Sequence, residues 1–82
     1  MRVYHGKLPT MSLVTFLAYI SKGTRVHIKV DCWGVDFFAT IDGASDVIET
    51  CKRVYNAVGH HPQVVEFGKL DGFKNGVSII CK

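Results

Sequence analysis

The residues of this chain that could do chemistry are four histidines, three cysteines and seven carboxylates. Their spacing decides how far each can go. His60 and His61 stand side by side before Pro62 and invite a metal reading. Zinc sites draw ligands in close pairs such as Cys-x-x-Cys or His-x-x-x-His, and neither spacing occurs here. Histidines after a helix end are already explained by the helix dipole, which favours imidazolium there. Nucleophilic catalysis needs a thiolate held by a base. Cys51 and Cys81 fall on apolar positions, and Cys32, beside Trp33 in a turn, is the accessible one without any motif around it. Asp42 and Asp46 flank a helix start, where capping accounts for both. The three glycines of "GKLDGFKNG" fit hairpin turns better than a phosphate cradle. The reading is non-enzymatic: no catalytic residue, no metal and no cofactor is expected.

What remains is the chemistry of surfaces. In "YISKGTRVHIKV", residues 19 to 30, Arg25, His27 and Lys29 alternate with Val26, Ile28 and Val30. That is the period of a half-buried strand, with a basic row opposite a β-branched one. "DCWG" makes a turn, and in "VDFFATI" the apolar row Val35, Phe37, Ala39 and Ile41 is opposed by Asp36, Phe38 and Thr40. Two alternating runs around a glycine-containing turn predict a β-hairpin.

The elements that must hold this hairpin follow from the rest of the chain. Residues 1–9 read as an N-terminal arm or a short edge strand over Arg2 to His5, and a single α+β domain spans residues 10–82. Leu13, Phe16, Leu17 and Ile20 predict a helix over residues 11–22, capped by Thr10 or Ser12 and closed near Gly23. Asp46 and Glu49 resemble a capping box, and Val47, Ile48, Cys51, Val54, Tyr55 and Val58 supply the stripe of a second helix ending at Gly59. Lys52 and Arg53 lie on its wet side. Strands follow at about 63–67 and 77–81. The order is α-β-β-α-β-β. The simplest burial sets both helices on one face of a four-stranded, mainly antiparallel sheet, in two layers.

At 82 residues and 48% hydrophobic, the chain is long enough for one core and is not disordered by composition. A domain this small leaves much surface uncovered, so a homo-oligomer is a natural expectation. An odd cysteine count and no apolar leader in "MRVYH" argue for a reducing, cytoplasmic setting rather than a disulfide framework. Met11 to Ile20 is too short to span a bilayer, so no membrane partner is expected.

The far side of the sheet is then a contact surface. It carries Arg25, His27, Lys29, Asp36, Phe38 and Thr40, with Ser78 and Ile80 from the last strand. Either Val64 and Glu66 or Val65 and Phe67 join them, depending on register. Exposed apolar groups with a charged rim suit a partner. The candidate contact residues are Arg25, His27, Lys29 and Phe38, with Trp33 as a second anchor and Lys52 and Arg53 as a second basic spot. Single-stranded nucleic acid is the rival occupant, since Phe38 offers a stacking ring beside basic groups. The net charge of +3 is small for that role. An anionic nucleotide, gripped by the same residues, is another.

"TFLAYISKGTRVHI" and "VIETCKRVYNAVGHHPQVVEFG" resemble the small accessory proteins encoded by phages and prophages of Gram-positive bacteria. There a "FLxYIxxGTxVxI" opening is followed by a hairpin, a helix ending near "VYN" and a final "VxxF…DGxxxI" hairpin. The likeness covers residues 13 to 81 and carries no functional residue across. It implies a counter-defence role in the bacterial host cell, blocking a defence protein such as a CRISPR effector or sequestering an immune nucleotide signal. The combined expectation is a binding protein that inhibits a host protein by occupying it. Nucleotide sequestration and weak single-strand binding are the alternatives.

Overall fold

A computed structural model describes residues 11–31 and 34–82. The expected arm over residues 1–9, and Cys32 and Trp33 of the turn, lie outside the described residues. The elements run β1 (Met11–Ser12), α1 (Leu13–Ala18), β2 (Thr24–Val30), β3 (Val35–Ile41), α2 (Ala44–Val58), β4 (Gln63–Lys69) and β5 (Gly76–Cys81). Among the described residues the architecture is α+β: one mixed sheet of five strands in the order β1-β4-β5-β2-β3, with two helices.

Alternation builds β2 and β3 as the sequence requires. They pair antiparallel from Thr24↔Ile41 to Val30↔Val35, so Val26, Ile28 and Val30 share a face with Ala39, Phe37 and Val35. Those three β2 side chains are fully buried, in one cluster with Leu13 and Leu17 of α1 and Val47, Val54 and Val58 of α2. Both helices thus shield the same face. The sheet differs from the four-stranded, mainly antiparallel expectation in two ways. A short β1 adds an edge through Met11↔Val64, and β2 and β5 pair parallel at the centre. The two hairpins, β2-β3 and β4-β5, therefore join through their inner strands. This lets α2 cross over the sheet and brings Ile79 and Cys81 into the middle of the core.

The helices depart from their sequence patterns. The first has six residues rather than twelve. Ser12 is its N-cap and accepts from the Thr15 amide, while Met11 and Ser12 are drawn into pairing with β4. In α2 the N-cap is Gly43, and Asp46 sits in the first turn with its carboxylate accepting the Asp42 amide at 2.8 Å. The carboxylate thus reaches one residue past the cap, to the amide before Gly43, in place of the expected Asp46–Glu49 capping box, and no side chain caps the helix. Gly59 closes α2 in the left-handed region at φ 80°, where its amide donates to the Tyr55 carbonyl. The buried stripe is Val47, Thr50, Val54 and Val58. Ile48 and Tyr55, expected inside, are exposed.

One irregularity decides the composition of the open face. Val64 pairs with Cys81 and Phe67 with Ile79, both on the helix side, while Glu66 pairs with Ile80 on the open side. Val64 and Phe67 can share a face only because a bulge at Val65 takes up one residue. Neither sequence alternative is therefore right: Glu66 faces out without Val64, and Phe67 lies on the helix side against Phe16, ring centroids 5.1 Å apart.

Candidate functional site

The open face is built on β2 and β3. Arg25, His27 and Lys29 stand opposite Thr40, Phe38 and Asp36 in that order, with Ser78 and Ile80 of β5 beside His27 and Lys29. Cross-strand neighbours this close interact through their side chains. His27 and Phe38 stack almost parallel, 4.3 Å between centroids and 7° between planes. His27 Nε2 lies 3.2 Å from Asp36 Oδ1, so the carboxylate holds the imidazole over the ring.

Arg25 is the centre of the cluster. Its guanidinium carbon lies 5.9 Å from the Phe38 centroid and 5.9 Å from that of Phe73. One nitrogen donates to Thr40 Oγ1 at 3.2 Å. Guanidinium over aromatic faces is a favourable arrangement worth about 0.5–1 kcal/mol when exposed. Arg25 Nε is buried with no hydrogen-bond partner among the described residues. The side chain is thus fixed by packing and by Thr40 rather than by an ion pair. Phe38 remains 47% exposed and Phe73 44%.

Phe73 is the site residue that sequence reading missed. It belongs to the β4-β5 connection, closed by the Leu70 amide on the Gly76 carbonyl and by the Arg25 amide on the Asn75 carbonyl at 2.8 Å. A Cβ at Gly76 would lie 2.9 Å from the Cβ atoms of both Leu70 and Phe73. The glycine therefore lets the loop fold down so that Phe73 reaches Arg25. The signal was "GFKNG" itself, a phenylalanine between turn glycines with no apolar row of its own.

The other predicted residues divide. Lys29 is exposed at the end of the open face beside Asp36 and Ile80. Lys52 is on α2, beside Ser45, Ile48 and Glu49, and takes no part in the cluster. Arg53, its neighbour, reaches to the edge strand and donates to the Phe38 carbonyl at 3.3 Å. The expected second basic spot is therefore split, with Arg53 joining the rim of the first. Trp33 lies outside the described residues. His61 stacks on Tyr55 at 4.5 Å, and His60 Nδ1 lies 3.3 Å from the Val58 carbonyl at the helix end. Among the described residues no three His, Cys, Asp or Glu side chains come together as a metal cluster. No helix there is long and apolar enough to cross a membrane.

Among the described residues the face carries both signs of charge, with Arg53 as a further cation at its rim. Arg25 and Lys29 are offset by Asp36 and Glu66. No family model, curated protein or solved structure matches this chain.

The thiols of Cys51 and Cys81 lie away from this face, on α2 and on the helix side of β5. Burial pushes the Cys51 thiol up. Cys81 is pushed up to about 11, first by burial and then by the neighbouring Cys51. A raised thiol favours the neutral form in the folded state, so its stabilisation is complete below the ordinary thiol range and lost as pH rises toward 11. We expect Cys81 to resist iodoacetamide at pH 8 in the folded protein and to react on unfolding. Mass spectrometry of native and urea-treated samples checks this, and equal labelling in both would contradict the buried placement.

Proposed function

We propose that this protein is a non-enzymatic binding protein that acts by occupying a partner protein through the open sheet face. The observation that carries the reading is the pairing of half-exposed apolar rings, Phe38 and Phe73, with carboxylates, Asp36 and Glu66, set among the cations of the same face. Apolar anchors with Arg at the centre and mixed charge at the rim are the make-up of protein interfaces. A polyanion calls instead for unopposed cations along a groove, and here Asp36 and Glu66 stand among them. His27 also occupies one face of the ring on which a base would stack. The resemblance to phage accessory proteins supports a host defence protein as the partner.

Capture from bacterial host lysate on immobilised protein tests this. A specific partner is expected to be lost with Phe38→Asp and with Arg25→Ala, each by about 30-fold or more in affinity as for a central anchor. It is expected to be kept with Ile48→Asp, which alters only the helix side. Micromolar binding of a mixed-sequence single-stranded oligonucleotide, falling steeply with salt, would instead establish the nucleic-acid reading. A nucleotide co-purifying with the wild type and lost with Arg25→Ala would establish sequestration.

A further inference from the structure

We infer that two copies of this chain pair edge to edge through β3, antiparallel about Phe38, to make one continuous sheet. Among the described residues β3 ends the sheet order, and all seven of its residues pair with β2 on one side only. The direction of its backbone groups follows from β2. The Arg25 amide donates away from β3, to the Asn75 carbonyl, and β2 pairs with β5 on that side. Backbone groups alternate sides along a strand, so Thr24, Val26, Ile28 and Val30 turn toward β3. Their partners Ile41, Ala39, Phe37 and Val35 turn back, which leaves the amides and carbonyls of Asp36, Phe38 and Thr40 facing outward. Arg53 finds the Phe38 carbonyl on that outer side.

Unpaired strand edges are normally guarded by lysine, proline, a bulge or extreme shortness. The opposite edge, β1, is two residues long. β3 is seven residues long, contains neither lysine nor proline, and pairs in unbroken register with β2. Among the described residues its guards are the Asp36 charge and the Arg53 side chain.

The strand is also complementary to itself. Phe38 is its midpoint, so pairing there engages its whole length. Phe38 meets Phe38 of the second copy, Phe37 meets Ala39, and Val35 meets Ile41. The strand's single charge, Asp36, falls opposite neutral Thr40 rather than opposite another carboxylate, which avoids a like-charge pair. Thr40 is the residue that Arg25 already reaches, and Arg25 has no carboxylate partner of its own among the described residues. The second copy's Asp36 supplies one. Hydrogen bonding of the Phe38 amide across the two-fold axis takes the acceptor that Arg53 holds, so Arg53 competes with dimerisation.

Light scattering at graded concentration reads the result. Wild type is expected to show twice the chain mass at roughly 0.1 mM. Thr40→Pro removes an outward donor that the ladder to β2 does not use, and should weaken pairing at least about 100-fold with an unchanged circular dichroism spectrum. Thr40→Val, which drops only the hydroxyl, should remain dimeric. Arg53→Ala should tighten the dimer about fivefold. A wild type that stays monomeric at that concentration overturns the proposal, as does a dimer indifferent to Thr40→Pro. Should Thr40→Pro fail to fold, amide exchange on the wild type decides. Concentration-dependent protection at Phe38 and Thr40 supports the pairing, and constant rates refute it. A monomer would leave the foreign-partner reading of the open face untouched.

Discussion

Ile79→Ala is expected to cost about 3–4 kcal/mol, the largest stability loss of any single truncation proposed for this protein. Ile79 is fully buried in β5, where its neighbours in register are Ile28 on one side and Phe67 on the other. The helix side of the sheet closes over it with no freedom to collapse into the space, and truncation costs both transfer energy and a cavity. A domain of this length is stable by roughly 4–12 kcal/mol, so this variant gives up a large part of the total. Its thermal midpoint should fall by about 12–30 °C. Ile48→Ala is the matched control. The sequence stripe placed Ile48 inside, yet it is 63% exposed, and its truncation should change stability by less than about 0.5 kcal/mol. Denaturant unfolding of the two variants checks the orientation of α2 as well as the core. If Ile48 were the costly one, the helix would be rotated from the position described.

Gly76→Val should destabilise by about 1–3 kcal/mol although valine is the better strand former. The cause is the approach of Leu70 and Phe73 to within 2.9 Å of where a Cβ must stand. The loop has to lift to admit the side chain, and Phe73 then leaves the Arg25 guanidinium. Two readouts separate this from a simple loss of stability. The Arg25 side-chain protons should lose the part of their upfield shift that the Phe73 ring confers, keeping that of Phe38, and partner binding should weaken even at temperatures where the variant is fully folded. A stabilised Gly76→Val protein with an unaltered Arg25 spectrum would mean that Phe73 does not rely on this glycine.

How much of the site could be read in advance varied with the range of the interaction that set it. Arg25, His27 and Lys29 opposite Asp36, Phe38 and Thr40 follow from alternation within two neighbouring strands and a short turn, and the structure pairs them in register. The stacking of His27 on Phe38 needs only that register. Phe73 depends on the folding of a loop whose residues carry no periodicity. The place of Glu66 depends on a bulge at Val65, which alternation does not encode. The second carboxylate of the face, which favours a protein over a polyanion as the occupant, rides on that one inserted residue.

By itself, the sequence determined the two helices, the β2-β3 hairpin with its inner and outer rows, and the assignment of the basic row to the outer side. Each of these is a periodicity over fewer than twenty residues, and a side chain's face is fixed once the period is. Tertiary structure alone decided the parallel seating of β5 against β2, the recruitment of Met11 and Ser12 as a fifth strand, and the rotation of α2 that buries Thr50 and frees Ile48. Among the described residues it also left β3 as the long edge of the sheet. Strand order is a choice among non-local pairings with similar backbone hydrogen bonding. What separates them is the packing of side chains that meet only when the whole core closes.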